Sequence, residues 1–173
     1  MFEKLAKDLA TGNMGGNQSR IIYGRHADVV TWPTLTVVVG KEGESTGSVI
    51  MAAATKAFEI IATEETVDFK IAFVGEKDGK SQKATLTFLH PKLRAKVLAF
   101  MNAIGNEDVF FIVSDNNGTQ YLMGDAQRGA SLDTGEATTG NKFDSKSGLT
   151  CTFSYNAKVM LAYMGVDPVV PVI

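Results

Sequence analysis

Hydrophobic and polar positions alternate along two neighbouring stretches in the middle of the chain. In Thr66–Val74, the residues Phe69, Ile71 and Phe73 fall on one face, and in Lys83–Leu89 the residues Ala84, Leu86 and Phe88 do the same. A period of two marks a half-buried strand. The intervening Glu-Lys-Asp-Gly-Lys is a turn sequence, so the two stretches predict a β-hairpin. The period then changes. Leu93, Val97, Phe100, Met101 and Ile104 form one apolar stripe at helical spacing. His90-Pro91 is expected to open this helix, because a proline in the first turn loses no intrahelical hydrogen bond. Gly105 is the expected cap at its C-terminal end.

The remaining pattern is mostly strand and turn. Phe2, Leu5 and Leu9 suggest a short helix over residues 2–10, ended by Gly-Asn-Met-Gly-Gly-Asn-Gln. Arg20–Gly24 and Thr34–Gly40 read as strands, with Pro33 arguing against a central strand between them. Residues 49–57 fit a helix or a buried strand equally well, and Phe58–Thr63 looks extended. Asp108–Ser114 and Thr119–Met123 are β-rich runs around Asp115-Asn116-Asn117-Gly118, a turn. Leu149–Asn156 and Lys158–Met164 are expected to form a last strand pair. No βαβ repeat appears. The expected fold class is mainly β (α+β), antiparallel, with one helix packed on the sheet, in a single domain spanning residues 1–173.

Three segments do not fit a self-contained β domain. The longest is residues 125–148, rich in Gly, Thr, Ser, Asp and Asn. Structureless loops beyond about 12–15 residues are uncommon in compact domains unless they serve a function or are disordered. Leu132 and Phe143 interrupt this stretch with apolar side chains that could dock on a neighbour. The Gly-rich segment before the first strand is the second. The third is the Pro-spaced apolar tail 166–173, expected to be extended and able to lie on a subunit edge. Arms around a β core suit a subunit whose partner is a copy of itself; plain surface loops and a frayed tail are the alternative. The predicted contact residues are Leu132, Thr134, Thr138, Thr139 and Phe143 in the arm and Val169, Val170, Val172 and Ile173 in the tail.

Composition narrows the function. The chain is 45% hydrophobic and 21% charged, with net charge -2, so it can build a core and has no basic excess for gripping duplex nucleic acid. The single cysteine, Cys151, cannot form an internal disulfide. No h-region of a signal peptide and no run of about 20 apolar residues is seen, so no membrane span is expected, and synthesis in a cytoplasm is expected. Candidate chemistry is sparse. His26 and His90 have no second ligand at metal spacing and read as turn or surface histidines. Cys151 alternates with Phe153 and Tyr155 on one strand face, which favours core packing over a reactive thiol. In Ser114–Gly118 the glycine comes too early for a calcium loop, and Ala126 stands where the closing glutamate is needed. Gly12–Gly16 lacks the Lys-Ser/Thr of a phosphate loop. Glu64 and Glu65 are adjacent and would face opposite ways on a strand. The expectation is no catalytic residue, no cofactor, no metal and no enzyme. A ligand-binding or enzymatic β domain is the contrasting class, with no residues to nominate for it.

Three longer segments carry a resemblance: GGNQSRIIYGRHADVVTWPT, DVFFIVSDNNGTQYLMGDAQRGASL and ATTGNKFDSKSGLTCTFSYNAKV. Together they resemble the structural tail proteins of tailed bacteriophages, especially phages infecting Bacteroidetes. Residues 41–65 match no part of that pattern. The resemblance implies a tail-tube-like fold: two packed antiparallel sheets in a sandwich or half barrel, a flanking α-helix and long arms. It further implies a virion protein of the tail tube or tail hub. Copies of the chain would form a ring, expected to be hexameric, and contact other tail or head–tail proteins around a channel. DNA would pass through that channel without sequence-specific binding. The alternative within the virion is a capsid decoration, head fibre or head–tail connector protein.

Overall fold

The computed structural model describes residues 12–168. The helix expected over residues 2–10 lies outside them, as do Val169, Val170, Val172 and Ile173. Two four-stranded antiparallel sheets and one helix make up the fold, which is mainly β as expected.

The first sheet is built around Val109–Asp115 (β9), whose first five residues, Val-Phe-Phe-Ile-Val, are all at most 2% exposed. A strand that reads as continuous hydrophobics is covered on both faces, and β9 is. It lies between Asn17–Arg25 (β1) and Gln120–Met123 (β10), and Phe58–Ile61 (β6) flanks β1 to give the order β10-β9-β1-β6. Phe111 and Val113 point to one side and Phe110 and Ile112 to the other, each set into its own core cluster. Gly24 of β1 permits this closeness, because a Cβ there would lie 2.6 Å from the Phe110 ring.

The second sheet has the order β11-β12-β8-β7, from Ser131–Thr138 (β11), Gly148–Ala157 (β12), Ser81–Pro91 (β8) and Asp68–Val74 (β7). The predicted β7–β8 hairpin is present, in continuous register from Asp68↔Thr87 to Val74↔Ser81. Ala84, Leu86 and Phe88 are buried, as are Leu149, Cys151, Phe153 and Tyr155 of β12. Between the sheets, Phe111 packs edge-on against Phe153 at 4.6 Å and Phe88 stacks on Phe153 at 6.1 Å, an arrangement that adds to burial energy. The helix Ala95–Ile104 (α1) lays its stripe on this core. Val97 and Ile104 are buried, and Phe100 meets Tyr23 edge-on at 5.2 Å.

A third layer covers the far side of the first sheet. It contains Val29–Thr31 (β2) paired with Ile50–Met51 (β5), and Thr34–Leu35 (β3) paired with Ser45–Thr46 (β4). Trp32, Val49 and Tyr163 from this layer close over Ile22, Phe110 and Ile112.

Six expectations are corrected. The strand expected over Thr34–Gly40 is two residues long, because its partner β4 offers only Ser45–Thr46. Residues 49–57 form neither helix nor long strand: after β5 the chain turns, with Ala54 at φ 70°. Pro91 ends β8 opposite Gly148, and the helix starts four residues later after Lys92 turns at φ 62°. Lys158–Met164 makes no strand, since only Ala162 bridges, to Glu44 and Tyr121. Gly105 does follow the helix, but at φ -59°, in the right-handed region. Within residues 125–148, the strand β11 pairs with β12 along its length, leaving 139–147 as the loop.

Candidate functional site

Among the described residues, the three layers leave the outer face of the second sheet and its two edges without cover. Strand registers place the residues of this face in rows. Asp68, Thr87, Thr152 and Thr134 form one row, and Lys70, Thr85, Ser154 and Ser131 the next. Leu89, Thr150 and Glu136 form a third. Alternation along each strand enforces this, since the odd positions of β8 and the even positions of β12 cannot reach the core. The result is a hydroxyl-rich surface in which Thr87 and Thr152 lie 3.0 Å apart, Oγ1 to Oγ1.

Charge on this face is nearly balanced. Lys70 reaches Asp68. Lys83 sits 3.6 Å from Asp133, which also accepts a hydrogen bond from Ser154 at 2.7 Å. With Glu136 added, two positive and three negative side chains leave a net of -1. Such a face is polar enough to stay wet and has too little positive charge to hold phosphates.

The edges differ. Strand β7 has no described partner on its outer side, contains no proline and keeps register without a bulge. Its inward row is only partly covered. Phe69 stacks on Tyr121 at 5.0 Å, whereas Ile71 is 42% and Phe73 73% exposed. Edge strands in monomers are usually blunted by charge, proline or bulges. Here Asp68 and Lys70 neutralise each other, and an apolar row runs out past the core. The opposite edge, β11, is also open. A register shift between Leu132 and Thr134 bends it, and its inner face touches the core only through Leu132 and Ala137.

The predicted contact residues fall in three places. Leu132 packs on the core of its own chain. Thr134 and Thr138 lie on the outer face of β11. Thr139 and Phe143 are exposed in the loop 139–147, where Phe143 stands free of all packing. That loop has a fixed shape: the amide of Gly140 donates to Thr138 Oγ1 at 3.1 Å, and the amide of Lys92 reaches back to the carbonyl of Ser147 at 2.9 Å. The sequence places Phe69, Ile71 and Phe73 on one face of β7 but does not show that the row runs out past the core, because alternation reveals which residues share a face and not whether that face is covered.

The candidate chemical groups are in structural positions. His26 donates from Nε2 to the Asp125 carbonyl at 2.7 Å and stacks on Trp32 at 4.9 Å. Asp125 in turn accepts from the Tyr155 hydroxyl at 2.7 Å and from the amides of Gln127 and Arg128. Burial pushes the Asp125 carboxyl upward, but these donors and the Arg128 charge outweigh it and leave it below the ordinary value. Burial, then the Asp125 carboxylate, raises the Tyr155 hydroxyl. Cys151 is 1% exposed, and burial raises its thiol to about 11, the opposite of an activated nucleophile. Among the described residues no group of three or more His, Cys, Asp or Glu side chains could hold a metal ion. No described helix is long and apolar enough to cross a membrane. Glu64 and Glu65 occupy a turn, with Glu65 at φ 60°. No protein-family model, curated protein or solved structure matches the chain.

Proposed function

We propose that this chain is a structural subunit of a bacteriophage tail, in the tube or the hub, and that it acts by assembling with copies of itself into a ring. The observation that carries the proposal is the exposed apolar row of β7 beside a strand edge that has no partner among the described residues, with a second such edge, β11, on the other side of the same sheet. Pairing β7 of one copy with β11 of the next buries Ile71 and Phe73, satisfies both backbone edges, and extends the sheet around a closed ring. A head-to-tail contact of this kind is heterologous, and closure limits it to a finite ring. The threonine face then lines the channel. Its hydroxyls keep it hydrated and its net charge of -1 keeps DNA from sticking, so DNA can pass. The subunit's work is done by shape and surface, without catalysis.

Light scattering across a concentration series, with negative-stain images of the same samples, tests the proposal. Rings or short tubes with a central hole are expected. A monodisperse monomer at every concentration would refute self-assembly. Labelling the protein within virions tests the tail assignment: signal on the capsid face or at a vertex would place it among head or connector proteins.

A further inference from the structure

Two surface features remain outside that reading, and they are complementary. The first is the loop joining β3 to β4. Val37, Val38 and Val39 are 93%, 56% and 75% exposed, three consecutive apolar residues left mostly uncovered. Such a run is unfavourable on a free surface unless it has a use. The loop is not slack. The amide of Lys41 donates to the Val38 carbonyl at 3.1 Å, that of Glu44 to the Lys41 carbonyl at 3.0 Å, and that of Gly40 to Glu42 Oε2 at 3.0 Å. The valines therefore stand on a shaped knob. Lys41, Glu42 and Glu44 beside them sum to -1.

The second feature is a cleft of about 480 Å³ between β6 and α1, with a floor of Phe58, Phe88, Phe100 and Leu149. Its rim carries Arg94 and Lys96, which have no acidic partner among the described residues, and Glu59, which pairs with Arg20. His90 stands in its wall. An apolar floor and a rim that is net positive suit an apolar segment whose flanks are net negative.

The knob cannot reach the cleft of its own chain. Its stem is held at the β10 edge of the first sheet through the Glu44↔Ala162 and Ala162↔Tyr121 bridges. The cleft opens at the β6 edge, across all four strands, roughly three inter-strand spacings of about 4.8 Å away. The two features also align with the two edges of the second sheet. Phe69 of β7 stacks on Tyr121, on the knob's flank. Leu149, in the cleft, pairs with Ala137 of β11. We infer that the Val37–Val39 loop of one copy seats in the β6–α1 cleft of the next, in the same head-to-tail sense as the β7–β11 pairing. This deepens the ring reading and rests on it.

Cysteine pairing tests it. The double variant Val38→Cys and Lys96→Cys, oxidised after assembly, should give a ladder of covalent multimers. Each single variant should not, since native Cys151 is buried. In parallel, Val38→Asp should fold normally by circular dichroism, the site being an exposed loop, and should raise the assembly midpoint at least tenfold. Rings that form equally well with Val38→Asp and give no ladder in the double variant would overturn the knob-and-cleft contact while leaving the ring reading intact. Wild-type protein that stays monomeric would overturn both.

Discussion

Phe73→Thr separates folding from assembly with one side chain. Threonine keeps the β propensity of an edge position and removes the ring. Fully burying a phenylalanine is worth about 1.5–3 kcal/mol. Phe73 is 73% exposed, so about a quarter of that value already supports the monomer, roughly 0.4–0.8 kcal/mol. The other three-quarters, about 1.1–2.2 kcal/mol, becomes available only when a neighbour covers the strand. A closed ring gives each subunit one such seam, so the concentration midpoint of assembly should rise about 5–40-fold. Sedimentation velocity over a dilution series reads the midpoint, and urea unfolding of the dilute monomer reads the folding cost. An unchanged midpoint would show that β7 lies outside the seam. A folding loss above about 3 kcal/mol would show that the row belongs to the monomer's own core, because the whole transfer energy of the ring would then be spent there.

Three further outcomes follow from the structure. Asp125→Ala strips the acceptor from the buried Tyr155 hydroxyl and should cost about 1–3 kcal/mol in urea unfolding. Because the Asp125 carboxyl lies below its ordinary value of 3.8 when folded, its contribution is present above that pH and is lost as pH falls through the folded value; a melting temperature that falls equally in wild type and variant between pH 5 and 2 would refute this. Cys151 should resist thiol reagents at neutral pH in the native state and react fully in denaturant, since its pKa is raised to about 11; rapid native labelling would contradict its burial. Replacing residues 139–147 with Asn-Gly should leave the fold intact, because Thr138 and Gly148 are opposite partners and two residues can close the hairpin, with about 1 kcal/mol gained from the shorter loop; loss of native circular dichroism would refute it.

Much of the architecture could be read from the chain because its main elements obey one rule at a time. The β7–β8 hairpin alternates, β9 is continuously apolar, and the stripe from Leu93 to Ile104 has a helical period. Each failure has a physical cause. Thr34–Gly40 has the composition of a strand, but β propensity needs a partner, and β4 supplies two residues. β11 was hidden within the polar stretch because only Leu132 and Ala137 touch the core, and the register shift after Leu132 puts them out of phase. Pro91 suits a helix start locally, yet pairing with Gly148 holds it in β8. The threonine face was visible all along as Thr85, Thr87, Thr150 and Thr152. Its meaning was not, because only register shows that these residues stand side by side.

The distribution of cover over the two sheets explains which surface is free to act. The first sheet is closed on both faces: the second sheet lies against one, and residues 26–57 with the chain around Tyr163 close the other. About a fifth of the protein, otherwise without a long strand or helix, forms this third layer. Among the described residues the second sheet has no such layer, and its outer face has little use for one, since threonine and paired charge have little to gain from burial. A sheet that needs no cover on its face, yet leaves apolar side chains on one edge, lacks only a neighbour in its own plane. A partner stacked on the threonine face would leave Ile71 and Phe73 exposed, and a partner beside β7 would cover them. The same reasoning separates the two large apolar residues of the 125–148 arm. Leu132 is already partly buried against the core of its own chain, whereas Phe143 is fully exposed, so of the two Phe143 has the larger apolar area to bury in a contact between subunits.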